Sequence, residues 1–200
     1  MKSLFECSED GFYTVPDGTL VNPYLNPKDI KSGLPWDLLD GLSVAAGQVD
    51  SGIVSDIIVH SFISHVIVLL SGEIKIWMKE PWDEQELYAQ ELKLPEPSGK
   101  PGFTSAALLI QPGTFLQLDN SQGSEPARLL YLSNPSYIFE PGETKDSPPV
   151  YDDAMTLGKD WERLEAQKWN PPELHDPSRS YAARQRAIQR LAAKSREGRE

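Results

Sequence analysis

Two hundred residues with 17 Pro, 14 Gly, 39% hydrophobic and 24% charged side chains describe one ordinary soluble domain with room for an appendage. The longest mostly apolar stretch, Ile57 to Leu70, is 14 residues and is interrupted by His60, Ser61, Ser64 and His65, so no membrane-spanning helix is expected. The net charge is −11, and residues 179 to 200 carry seven Lys or Arg against two Glu, so the rest of the chain sits at −16; an acidic body repels phosphate backbones and argues against nucleic acid as a partner.

The N-terminus places Glu6, Glu9 and Asp10 where a secretory signal needs an apolar core, so a cytoplasmic protein is expected. A single cysteine, Cys7, forbids an internal disulfide and a Cys-based zinc site, and its acidic neighbours argue against a reactive thiol. Residues 1–41 hold many turn formers, among them Pro16, Asp17, Gly18, Asn22 and Pro23, with no sustained period of 2 or 3.6. They read as an irregular arm packed on a core or on a partner subunit.

Over residues 42–140 the texture changes to short runs of Val, Ile and Leu separated by turn residues about every ten positions. Strands are predicted at Ser43–Val49, Ile53–Val59, His65–Leu70, Glu73–Lys79, Glu86–Leu92, Ser105–Ile110, Phe115–Leu118 and Ala127–Leu132. Eight short strands with no interleaved helix argue for an all-β sandwich or barrel. The run Glu73–Lys79 alternates cleanly, with Ile74, Ile76 and Met78 on one face and Lys75, Trp77 and Lys79 on the other. Residues 95–102 (PEPSGKPG) read as a turn-rich loop.

Residues 141–200 read as a linker followed by a helical extension. Met155, Leu157, Trp161 and Leu164 fall at near-helical spacing, and a second, basic helix starts at the N-cap Asp176 with Pro177 behind it. His175 sits in a Pro-rich turn, and the adjacent Asp152 and Asp153 read as a solvated turn. No phosphate loop, nucleophile elbow or His-Glu-x-x-His helix is present, which removes ATP use, serine-hydrolase chemistry and zincin chemistry.

The segment Gly52 to Gly72 reads Gly, five residues, Ile58, one residue, His60, four residues, His65, six residues, Gly. This resembles the first motif of the cupin family, Gly, five residues, His-x-His, three or four residues, Glu, six residues, Gly. Gly113, Leu116 and Asn120 resemble the later half of the second motif, Gly-x-x-His-x-x-x-Asn, whereas its upstream Gly and Pro correspond to Ser105 and Gln111. The resemblance implies a double-stranded β-helix, a jelly-roll barrel, over about residues 42–139.

In metal-binding members of the family three His and one Glu hold iron, manganese, nickel, copper or zinc inside the barrel. Here the four positions are Ile58, His60, His65 and Leu116, so the implied divalent transition-metal site is reduced to His60 and His65. Gln117 is a further acceptor, but strict alternation turns it away from Leu116 unless a bulge intervenes. Without a metal, an imidazole beside a phenol still serves acid/base isomerisation or cyclisation, and Tyr88 and Tyr131 are the candidate phenols. The leading expectation is therefore a small-molecule enzyme, either a metal-free acid/base isomerase or cyclase or a metal-assisted oxygenase, isomerase or lyase, with His60, His65, Tyr88 and Tyr131 as catalytic groups and Ile58, Trp77, Leu116 and Gln117 lining the substrate site. The competing expectation is a non-catalytic cupin that binds a metabolite or serves as a scaffold, with a cavity filled by Ile58 and Leu116. A homodimer is expected in either case, since cupins commonly pair through sheet edges.

Overall fold

Apolar residues in phase at period two, closed off by turn residues, build strands on both sides of one core. The computed structural model of the chain describes residues 11–25, 42–60, 63–80, 87–94, 106–135, 139–140, 150–151 and 154–166. Among these the strands are β1 (Tyr13–Thr14), β2 (Leu20–Leu25), β3 (Ser43–Val49), β4 (Ile58–His60), β5 (Ser64–Ser71), β6 (Glu73–Lys79) and β7 (Tyr88–Lys93). There follow β8 (Ala106–Ile110), β9 (Phe115–Asp119), β10 (Ala127–Asn134), β11 (Phe139–Glu140), β12 (Val150–Tyr151) and β13 (Ala154–Thr156), then one short helix, α1 (Trp161–Ala166).

One sheet has the order β1-β2-β3-β10-β5-β8 and the other β13-β4-β9-β6-β7, with β11 and β12 as a separate pair. Every ladder is antiparallel. The main core lies between the two large sheets: Val49, Ile67, Leu69 and Leu129 from one face Ile74, Ile76, Met78 and Leu118 from the other. A second cluster, Ile57, Val59, Phe115 and Leu164 with Trp161 packed against it, covers the outer side of β4 and β9 with α1. That is why β9 is buried along both of its faces.

Gly52 and Gly72, the two ends of the first motif, both hold a positive φ, 81° and 77°. At Gly72 a Cβ would also stand 2.8 Å from the Pro126 carbonyl oxygen, so this turn needs glycine on two counts. The glycine spacing in the sequence therefore marks the corners of the fold.

Three expectations are corrected. The N-terminal arm is not irregular throughout: β1 and β2 extend the six-stranded sheet by pairing with β3, whose free edge supplies the backbone partners that no periodicity in the arm announces. Residues 150–156, read as linker and the start of a helix, contribute β12 and β13, and Met155 lies on a strand paired with Val59. The strand expected from Ile53 begins only at Ile58, because Ser55 and Asp56 turn their backbone N–H groups to Leu118 O and Asp17 O. Cys7, the loop 95–102, Asp152, Asp153, His175 and the basic segment 179–200 lie outside the described residues. No described helix is long and apolar enough to cross a membrane.

Candidate functional site

Alternation decides which side chains share the barrel interior. On β4 it turns Ile58 and His60 inward, on β9 Leu116 and Leu118, on β5 His65 and Ile67, and on β10 Tyr131 and Ser133. These residues line a partly enclosed cavity of about 100 Å³. Ile58 and Leu116 therefore wall the cavity without filling it.

His60 and His65 meet there with ring centroids 4.2 Å apart and planes tilted by 53°. Both are buried, at 6% and 8% exposure. His65 Nδ1 lies 2.9 Å from Ser133 Oγ, its neighbour across the β5–β10 pairing, while His65 Nε2 is buried with no hydrogen-bond partner among the described residues. Burial, reinforced by the nearby His60, holds the His65 pKa well below the ordinary histidine value, so the ring is neutral at pH 7. The Ser133 hydroxyl has Nδ1 as its sole acceptor among the described residues. Donation from that hydroxyl to Nδ1 satisfies both groups and assigns the ring proton to Nε2. In that tautomer Nε2–H is a buried donor without a partner among the described residues, on a ring that lines the cavity, and a buried donor left unpaired costs ~1–3 kcal/mol.

Tyr131 is half-buried on the same wall, and its ring lies against Gly47 of β3, where a Cβ would stand 2.1 Å from Tyr131 Cε2. Burial raises its pKa, and Asp17 adds to the rise, so the phenol stays protonated. Tyr13 also lines the cavity, its pKa pushed up to about 12 by burial.

Asp17 arrives from the turn between β1 and β2. Gly18 at φ 88° shapes this turn, Gly18 N–H donating to Val15 O at 2.8 Å and Val15 N–H to Thr19 O at 2.9 Å. Asp56 N–H, just ahead of β4, donates to Asp17 O at 2.8 Å and ties the turn to the opposite sheet. Asp17 Oδ1 accepts from Thr19 N (3.0 Å) and Thr19 Oγ1 (2.8 Å), and the carboxylate also accepts from its own backbone N–H. Burial raises its pKa, the Thr19 hydrogen bonds oppose the rise, and Asp56 adds to it.

The structure brings together Ile58, His60, His65, Leu116 and Tyr131 and leaves out three other expected site residues. Gln117 points to the outer face, as period two dictates: its Nε2 donates to Ser55 O at 2.9 Å and its Oε1 accepts from Trp161 Nε1 at 2.6 Å. Trp77 is also outside, donating from Nε1 to Asp119 Oδ2 at 3.1 Å beneath the Lys75 ammonium, 4.1 Å from its ring. Tyr88 lies on the edge strand β7, with its hydroxyl 3.4 Å from Glu80 Oε1, away from the cavity.

No protein-family model matches the sequence, and none of the curated proteins compared with it does. Solved structures do match in fold. Protein SO0799 from Shewanella oneidensis aligns with a TM-score of 0.52 at 16% identity, over 78% of this chain and 82% of that one. The capsular polysaccharide assembling protein CapF from Staphylococcus aureus aligns at 0.46 and 12% identity over 78% of this chain, and procruciferin, an 11S globulin from Brassica napus, at 0.48 and 12% over 84%. The chain has the cupin fold. It spans only 33% of CapF and 37% of procruciferin, and at these identities the likeness is one of fold alone.

In a cupin the transition metal would sit among the side chains at positions 58, 60, 65 and 116. Ile58 and Leu116 offer no donor atom, and no described group of three or more His, Cys, Asp or Glu is gathered where one ion could be held. Two imidazoles with no carboxylate at these positions, and with Asp17 not gathered with them into a group of three, do not fit the family's metal.

Three cavity residues were not legible as site residues. Ser133 is in phase with Tyr131 two positions earlier, a clue lost because the strand was expected to stop at Leu132. Asp17 and Tyr13 belong to the arm, and nothing in its sequence says that the Pro16-Asp17-Gly18 turn reaches the barrel interior.

Proposed function

We propose that this cupin binds a small, largely apolar molecule in its barrel and acts on it by metal-free proton transfer, as an isomerase or cyclase. The observation that carries this reading is His65 Nε2, a buried ring nitrogen without a hydrogen-bond partner among the described residues, on a histidine that lines a cavity walled by Ile58, Ile67, Leu116 and Leu118. An apolar pocket with few convergent polar groups is the usual form of a small-ligand site. A ligand acceptor atom at Nε2 would remove the cost of the unpaired donor, and Tyr131 offers a second protonated donor on the same wall. The volume, about 100 Å³, lies below the ~150 Å³ of an engineered cavity that accepts benzene, which favours a ligand of few heavy atoms.

The test is a fragment screen read by the ring resonances of His65, run on the wild type and on His65→Leu. Compact acceptor-bearing fragments should shift the His65 signals and lose affinity in the variant. Fragments that bind equally well to both proteins would remove His65 from the site. Binding with no turnover of any fragment class would favour the non-catalytic metabolite-binding alternative.

A further inference from the structure

Resting on that reading, we propose that the ligand is an uncharged carbonyl compound and that Asp17 is the proton acceptor of the reaction, with His65 Nε2–H as donor to the carbonyl oxygen. Three observations converge on Asp17. It is the only carboxylate among the cavity-lining residues described, and none of those residues is Lys or Arg. It lines the cavity at 7% exposure, and the hydrogen bonds its carboxylate accepts come only from its own turn, from Thr19 and from its own backbone N–H. The backbone bond from Asp56 N–H to Asp17 O fixes the turn that carries it across the gap between the sheets.

The charge balance selects the ligand class. A buried carboxylate with no cation beside it disfavours a second anion, so carboxylates and phosphates are excluded. The neutral donors His65 Nε2–H and Tyr131 O–H call for an acceptor, which an amine lacks once protonated. A ketone or aldehyde meets both conditions. Burial also lifts the Asp17 carboxyl towards the pH at which a general base works best.

The step balances within the ligand and the protein. The C–H bond next to the carbonyl breaks and its proton goes to the Asp17 carboxylate. The electron pair forms the C=C bond, and the carbonyl π pair moves to oxygen, where His65 Nε2–H stabilises the enolate. Return of the proton to the same carbon regenerates the ligand, and in a ligand whose enolate is conjugated with a further C=C bond, return to the far carbon of that system isomerises it. No oxidant or reductant is consumed.

Cyclopentanone, cyclopentanecarboxylate and cyclopentylamine, which share one ring and differ in charge, are titrated into the full chain while the His65 ring signals are followed. Exchange of the ketone's α-hydrogens is then measured in heavy water. Cyclopentanone should bind and exchange, and the carboxylate should not bind. Asp17→Asn, which keeps the shape and an acceptor for Thr19, should retain ketone binding, lose ~100-fold or more of the exchange rate, and admit the carboxylate. Exchange in Asp17→Asn as fast as in the wild type, or tight carboxylate binding by the wild type, would overturn the proposal while leaving the cavity reading standing. Failure of all three probes to move the His65 signals would overturn the cavity reading and this proposal together.

Discussion

Ser133 and His65 face each other across the β10–β5 pairing with Oγ 2.9 Å from Nδ1, and a hydroxyl that donates there leaves the ring proton to Nε2. Ser133→Ala removes the hydroxyl and lets the ring proton move to Nδ1. Ligand affinity should fall about five- to tenfold, the worth of one such hydrogen bond. Calorimetric titration of wild type and variant checks this, and an unchanged affinity would show that the serine has no part in setting the tautomer.

The neutral His65 ring also makes stability depend on pH. Its folded pKa lies well below the unfolded value of about 6.5, so below pH 6.5 the unfolded chain takes up a proton that the folded chain refuses. Stability contributed by this residue is therefore intact above pH 6.5 and is lost as pH falls towards the folded pKa, by up to ~1.4 kcal/mol per pH unit. Urea denaturation at pH 7.5, 6.5 and 5.5 should show this slope in the wild type and a shallower one in His65→Leu. Equal slopes would place a proton on the folded imidazole.

Tyr131 keeps its position because residue 47 has no side chain. In Gly47→Ala the new methyl would stand 2.1 Å from Tyr131 Cε2, so the ring must leave its place on the cavity wall. A loss of ~1–3 kcal/mol is expected, as for other overpacked cores. Adding Tyr131→Val should recover most of it, a coupling that a double-mutant cycle measures directly. Additive losses would mean that the two residues do not press on each other.

The donor set accounts for the absence of a fit to the family's metal, and it can be rebuilt. Ile58 and Leu116 are paired neighbours on β4 and β9 and line the cavity with both imidazoles. Wild-type protein dialysed against zinc or manganese should retain much less than one equivalent by elemental analysis. Ile58→His with Leu116→His supplies four imidazoles and should retain about one equivalent of zinc. Stoichiometric metal in the wild type, lost in His60→Ala and His65→Ala, would contradict the account.

Much of the barrel was legible because strand alternation and glycine corners are local properties. The run Glu73–Lys79 and the segment Ser43–Val49 form strands with the expected bounds, and Ile74, Ile76 and Met78 face the core as their period requires. The inward pair His60 and His65 follows from the same alternation once Gly52 and Gly72 fix the register. The arm and the β13 segment were misread because their strands are short and gain their partners from β3 and β4, a tertiary relation that no local pattern encodes. Tyr88 illustrates a second limit: it packs against the main core, yet alternation leaves open which end of the barrel holds the cavity, whereas Trp77 is excluded by facing outward, opposite Ile74, Ile76 and Met78.

The most direct test of the account is the protonation state of His65, read by two-bond proton–nitrogen correlation on protein labelled at histidine nitrogens. At pH 6.5 the account predicts a neutral ring with its proton on Nε2, and in Ser133→Ala a shift towards the Nδ1-protonated form. A doubly protonated ring at pH 6.5, or a proton on Nδ1 in the wild type, would contradict it.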